Sequence, residues 1–241
     1  MKIINCYSPN FDKKKRLLKE IKFIVIHYTG MQSERESLAR LCNPKSKVSS
    51  HFLINKNGKI YRLVKDNKIA WHAGKSSWGK YKNLNKNSIG IELVNEGHKF
   101  GYKNYKKKQL LSLIKVSKKI IKKYKINKKY IVGHSDIAPL RKIDPGEKFP
   151  WKLLAKKNIG AWHEVKPDVL KKLRKIKILK NKDEKFFFKN LKEIGYRFSV
   201  KEKPTIRKIV KAFQRHYRKE LVNGIIDKEC LIIAESLLKK L

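Results

Sequence analysis

The residues best able to do chemistry are concentrated in Gly133-His-Ser-Asp-Ile-Ala-Pro-Leu-Arg-Lys-Ile-Asp-Pro-Gly146. The segment carries His134, Lys142 and Asp144, and Pro139 and Pro145 interrupt it, so neither a long helix nor a central strand suits it. It reads as an ordered loop after the strand Tyr130-Ile-Val-Gly133, and loops held on rigid scaffolds commonly house reactive groups. An imidazole and a carboxylate are competent zinc ligands, and a lysine beside them supplies fixed positive charge. Such a pair calls for a third ligand and a base. His27 stands at the end of the β-branched run Phe23-Ile-Val-Ile, where a strand would hold it rigidly. Glu92 stands among Ile89, Ile91, Leu93 and Val94, where a charged carboxylate costs several kcal/mol unless a cation compensates. Two histidines and an aspartate leave a fourth position of a tetrahedral metal open to water. Taken singly, each residue reads as well as a packed histidine or a salt-bridged glutamate. The combination carries the metal-plus-base reading, because the spacing is not a compact motif.

Those residues need elements to position them. Residues 34–42 read as a short helix. Residues 106–125 read as a longer one, with Leu110, Leu113, Ile114, Ile120, Ile121 and Tyr124 on one face and lysines on the other. The order strand, helix, several strands, helix, strand predicts an α/β fold with a mixed central β-sheet flanked by helices. Asn57-Gly58 predicts a hairpin turn between His51-Phe-Leu-Ile54 and Lys59–Val64, with His51 a structural group hydrogen-bonded beneath the site. Trp71 and His72, in Trp71-His-Ala-Gly74, read as a wall of a substrate groove or as a packed aromatic pair. Asn95 is a candidate substrate contact or a plain loop asparagine. His98, His163 and His216 have no motif around them and are expected at the surface. The character changes after residue 164. Residues 165–182 read as a basic linker. Three helices follow, over 183–194, 204–218 and 227–240, the first ended by Gly195 and the last capped by Asp227. They predict a small three-helix bundle domain over 183–241, after a first domain over 1–164.

The segments IVIHYTG, VSSHFLI, WHAG, SIGIELVN and GHSDIAPLRKIDPG occur in that order. Over about residues 20–163 the chain resembles the zinc-dependent N-acetylmuramoyl-L-alanine amidases, the type 2 amidase family related to peptidoglycan recognition proteins. The resemblance implies one zinc ion per chain, held by His27, His134 and Asp144, with Glu92 as general base and Lys142 stabilising the oxyanion. It implies hydrolysis of the amide bond between N-acetylmuramic acid and L-alanine in peptidoglycan or muropeptides, in cell-wall turnover or recycling. The alternative is a non-catalytic peptidoglycan-binding or sensing protein on the same scaffold. Relatives that only bind have lost a metal ligand, and here every matched catalytic position is retained. Ala212-Phe-Gln-Arg-His-Tyr-Arg218 with Asn223-Gly-Ile-Ile-Asp227 resembles peptidoglycan-binding domains of the three-helix type. That implies wall anchoring by 183–241, the alternative being a helical cap that binds nothing.

Composition sets the remaining bounds. Among 241 residues, 62 Lys and Arg against 20 Asp and Glu give a net charge of +42. The lysines are spread along the whole chain, with no basic region leading into heptads and no zinc-finger spacing, so nucleic acid is not the expected partner. Such a charge favours anionic wall polymers and stem-peptide carboxylates, in a salt-dependent way. Cys6, Cys42 and Cys230 form no C-x-x-C pair and imply neither a disulfide framework nor a second metal site. No apolar run is long enough for a transmembrane segment, and MKIINCYSPNFDKKKR lacks the apolar core of a signal peptide. As written, the expectation is a monomer that starts in the cytoplasm. The resemblance covers both cytoplasmic recycling enzymes and envelope enzymes, so the cell envelope stays open.

Overall fold

The computed structural model describes residues 2–178, 181–198 and 203–241. Six strands build its central sheet: β1 (Ile3–Asn5), β2 (Phe23–Tyr28), β3 (Phe52–Ile54), β4 (Ile60–Arg62), β5 (Ser88–Leu93) and β6 (Ile131–Gly133). Their order is β1-β4-β3-β5-β2-β6. Every pair is parallel except the hairpin β3–β4. Asn57-Gly58 forms its turn, with Gly58 at φ +84°. The two long strands β2 and β5 lie centrally, and their unbroken apolar runs are what burial on both faces requires.

The alternation of side chains along β2 and β5 sorts the molecule into layers. Ile24 and Ile26, with Ile89, Ile91 and Leu93, pack on Leu113, Val116 and Ile120 of the long helix. That helix follows α1 (Glu34–Cys42) and is α2 (Lys107–Tyr124). The intervening residues Phe23, Val25 and His27 pair in register with Ser88, Gly90 and Glu92 and face the other side. On that side Phe23, Val25 and Val132 join one hydrophobic cluster with Phe187, Leu191 and Phe213 from the C-terminal part of the chain. The apolar end of this face is therefore covered, and its polar end, His27 and Glu92, is left for chemistry.

A one-turn helix, α3 (His134–Ile137), leads out of β6, and α4 (Trp151–Ala155) follows the loop. A short helix, α5 (Pro167–Leu173), lies inside the stretch read as a linker. Residues 179–180 of that stretch are outside the described residues. Three helices come next: α6 (Asn181–Ile194), α7 (Lys203–Tyr217) and α8 (Lys228–Leu238). Asp227 caps α8, accepting from the Cys230 amide at 2.9 Å. Two histidines expected at the surface are buried, His163 and His216. The fold brings both against the seam between the sheet region and the last helices, which no local motif announces. Cys6 and Cys42, remote in sequence, approach to 3.9 Å between sulfurs and are free thiols. Among the described residues no helix is long and apolar enough to cross a membrane.

Gly195 marks the tightest point of the seam. It adopts φ +138°, and a Cβ there would lie 2.3 Å from Trp78 Cε2. Its carbonyl accepts from the Gly79 amide at 2.7 Å. Gly195→Ala is expected to lower the unfolding free energy by about 1–3 kcal/mol through overpacking. Urea unfolding measures it, and an unchanged midpoint would show that the seam yields without cost.

Candidate active site

The structure brings His27, His134 and Asp144 together from the end of β2, the start of α3 and the loop beyond it. His27 Nδ1 lies 3.0 Å from His134 Nδ1, and each lies 3.1 Å from Asp144 Oδ2. All three are buried. The loop is closed on itself where Ser135 N donates to the Asp144 carbonyl at 2.8 Å. The next carbonyl, that of Pro145, accepts from the hydroxyls of Tyr102 and Tyr105 at 2.6 and 2.7 Å.

The outer nitrogens of both histidines are committed. His134 Nε2 is 3.1 Å from the Ala73 carbonyl, which can only accept, so Nε2 carries the hydrogen. His27 Nε2 is 3.0 Å from His72 Nδ1, and His72 Nε2 is 3.1 Å from Ser88 Oγ. The Ser88 hydroxyl donates to the Leu84 carbonyl at 2.5 Å, so it must accept from His72. Each link then donates through Nε2, leaving a lone pair on Nδ1. Burial, with His134 beside it, pushes the His27 pKa down to about 4, and burial also holds His72 well below its ordinary value. Neutral imidazoles thus aim lone pairs at one another and at a carboxylate oxygen. Those lone pairs repel unless a cation lies between them. Ligand atoms about 2 Å from a tetrahedral zinc ion lie roughly 3.3 Å apart, close to the spacing here.

Gly90 makes the His72 link sterically feasible. A Cβ at that position would fall 2.4 Å from His72 Cγ, so only a bare backbone in β5 leaves room for the ring. His51 lies beneath, as expected of a structural group. The Gly90 amide donates to its Nδ1 at 3.0 Å, and its Nε2 lies 3.2 Å from the Lys68 carbonyl.

Glu92, the register partner of His27, is buried with Oε2 unpaired. Burial, reinforced by Asp144 and opposed by Lys142, pushes its pKa up to about 8. A carboxyl poised there can take up and release a proton near neutrality. His27, Glu92, His134, Lys142 and Asp144 all line one cavity of about 350 Å³.

A profile of the N-acetylmuramoyl-L-alanine amidase family matches residues 17–147, the span that holds all five of these residues. The chain belongs to the N-acetylmuramoyl-L-alanine amidase family. It is 38% identical over 237 residues to the N-acetylmuramoyl-L-alanine amidase AmiD of Escherichia coli, a match covering 91% of this chain and 83% of that protein. It is 36% identical over 162 residues to the 1,6-anhydro-N-acetylmuramyl-L-alanine amidase AmpD of Haemophilus influenzae, covering 60% of this chain and 85% of that protein. Among solved structures, it matches E. coli AmiD in complex with the substrate anhydro-N-acetylmuramic acid-L-Ala-D-gamma-Glu-L-Lys. The TM-score is 0.81 and the identity 35%, over 95% of this chain and 92% of that one.

Within this amidase scaffold the remaining sequence candidates part ways. His72 reaches the cavity, but with both ring nitrogens engaged behind His27. Trp71 is outside the lining, its Nε1 donating to Asp12 at 2.6 Å. Asn95 shapes the turn after β5. It donates to the Lys103 carbonyl at 2.8 Å and accepts from the Gly97 amide at 3.0 Å. Sequence reasoning missed Arg40, which lines the cavity from α1 together with Ser37 and Leu41. It also missed Arg141, which donates to the Ala73 and Lys75 carbonyls and so ties the WHAG turn to the loop that carries His134 and Asp144. Arg40 offers no sequence signal, because a helix residue that lines a cavity built from distant segments has no local signature.

Burial pushes the His51 pKa down to about 3, with Arg16 adding to the effect, from an ordinary 6.5. The unfolded chain binds this proton below pH 6.5 and the folded chain does not until about pH 3. Stability is therefore full above 6.5 and falls as the pH drops through that value, by about 1.4 kcal/mol per pH unit from this residue. Urea midpoints between about pH 7.5 and about pH 5 should fall more steeply in the native chain than in His51→Gln, which lacks this ring. Equal slopes would mean that the buried ring is protonated in the fold.

Proposed function

We propose that this chain hydrolyses the amide bond between the lactyl carbonyl of N-acetylmuramic acid and L-alanine in muropeptides or peptidoglycan. One zinc ion per chain, held by His27, His134 and Asp144, serves the reaction. The observation that carries the proposal is the meeting of His27 Nδ1, His134 Nδ1 and Asp144 Oδ2 at 3.0–3.1 Å with the outer nitrogens already committed. The substrate class is supported by the AmiD complex with an anhydromuramyl peptide. Zinc in such a site lowers the pKa of a water molecule to about 7 and polarises an oxygen of the substrate.

The protein's own groups supply the rest. Glu92 takes the proton of the attacking water and delivers it to the departing L-alanine nitrogen, the two-way transfer expected of a buried carboxylate with a free oxygen at the cavity. Lys142, on the cavity wall, faces the negative charge that grows on the attacked carbonyl oxygen. Arg40, which also lines the cavity, suits a stem-peptide carboxylate. The closed loop 134–144 and the pinned Pro145 carbonyl keep these groups in place between turnovers. We further propose that the protein acts as a monomer, with a catalytic region over 1–164 joined through 165–182 to a bundle over 183–241.

Digestion of purified muropeptides, followed by mass spectrometry, is the direct test. Free stem peptide should appear, vanish with a zinc chelator and return with added zinc. Glu92→Gln should keep the metal and lose turnover by about 100- to 10,000-fold. Lys142→Ala should lose about 100- to 1,000-fold in kcat while retaining zinc. Binding without release, with zinc confirmed in the site, would make this a peptidoglycan-binding protein instead.

A further inference from the structure

The C-terminal helices do more than cover the sheet. Helix α7 reaches the loop that carries His134, Lys142 and Asp144 at three points. His216 Nδ1 donates to Asp136 Oδ2 at 2.7 Å, Lys208 Nζ donates to the Leu140 carbonyl at 3.3 Å, and Arg215 Nε lies 3.9 Å from Glu147 Oε2. Tyr196, just beyond α6, donates its hydroxyl to the other oxygen of Asp136 at 2.7 Å. Asp136 Oδ2 also accepts from the Gly133 amide at 2.7 Å, tying off the first turn of α3 at the residue before His134. The His216 ring is stacked on Trp151, with centroids 3.8 Å apart, and on Tyr217 at 3.9 Å. Among the described residues its Nε2 is buried without a partner, and the ring's one hydrogen bond is the one to Asp136.

We infer that His216 and Tyr196 are positioning residues for the metal site, gripping Asp136 so that α3 holds His134 against His27 and Asp144. The first turn of a four-residue helix has little stability of its own, so its orientation depends on what it is tied to. Among the described residues Asp136 accepts three hydrogen bonds, all buried, and two of the donors come from the C-terminal part of the chain, His216 on α7 and Tyr196 just after α6. The bundle therefore acts on metal affinity and on turnover, whatever it does toward wall material. This rests on the zinc site proposed above.

The test is the zinc dissociation constant, measured by competition with a chromophoric chelator, and kcat and KM at saturating zinc. The proteins are the full-length native chain, Tyr196→Phe, Tyr196→Phe with His216→Leu, and Tyr196→Phe with His216→Asn. The leucine double variant removes both donors, and should bind zinc about 10-fold more weakly or worse, with a lower kcat and an unchanged KM. Asparagine places an amide donor where Nδ1 stood and should restore much of the loss. Tyr196→Phe deletes one oxygen from a ring that stays packed, so it reads the effect even if the double variant does not fold. It should weaken zinc binding measurably by itself. Native-like zinc affinity and kcat in Tyr196→Phe and in a folded leucine variant, with only the melting temperature lowered, would overturn the inference and leave the bundle a purely stabilising cap. A rise in KM alone would overturn it in favour of substrate anchoring. If the native chain itself binds no zinc, the metal reading fails first, and that outcome is distinct from equal binding by native and variant.

Discussion

The rest of the structure depends on holding three electron-rich atoms closer together than they would choose to be. His27 Nδ1, His134 Nδ1 and Asp144 Oδ2 converge at 3.0–3.1 Å, and none has a hydrogen to share. Left to itself such a cluster would relax by turning an imidazole over or swinging the carboxylate away. Both escapes are closed. Ala73 holds the outer hydrogen of His134, and the relay through His72, Ser88 and Leu84 holds that of His27. Asp144 is anchored through its own carbonyl by Ser135, and through the next one by Tyr102 and Tyr105. A cation placed between these atoms would relieve the repulsion, and on the proposed function that is how the site holds its metal.

The sheet makes this affordable because its two faces are so different. On one face Ile24, Ile26, Ile89, Ile91 and Leu93 form an apolar surface that packs on α2. The other runs from apolar at the N-terminal end of β2, where Phe23 and Val25 join the cluster of the C-terminal helices, to His27 and Glu92 at the C-terminal ends of β2 and β5. A reactive cavity at the carboxyl ends of parallel strands is where open α/β sheets commonly bind ligands. Gly90 completes the arrangement, since the absence of a side chain there lets His72 pass behind His27.

Charge is distributed with the same economy. Against 62 cationic residues the chain has only 20 carboxylates, and several of the scarce acids are buried at junctions. Asp227 and Glu229 hold the buried Arg218 at 2.9 and 3.4 Å, and Glu229 also pairs with Arg174 at 2.7 Å. Asp136 anchors the seam between α3 and the last helices. In a chain that repels itself at long range, short-range pairs of this kind carry the specificity of docking, because buried pairs are screened far less than surface charge.

Much of this was legible in the chain itself. The β-branched runs around His27 and Glu92, the amphipathic stretch of α2, the Asn57-Gly58 hairpin and the cap at Asp227 are local signals, and local physics decides them. The candidate ligands and base were also readable, because few combinations of residue types do the same chemistry, and the order of their motifs resembled one family. His163 and His216 were misread as surface groups, because burial at a seam depends on what packs from elsewhere. The place of Arg40 in the cavity lining, the retreat of His72 behind His27 and the turning of Asn95 into its own loop were equally out of reach. So was the grip of α7 on the metal loop. The amino-acid sequence by itself determined which groups are able to bind a metal and move a proton, since that is a matter of side-chain chemistry. Only the tertiary structure decided which nitrogen faces inward and what holds it there, because a tautomer is set by partners that lie far away along the chain.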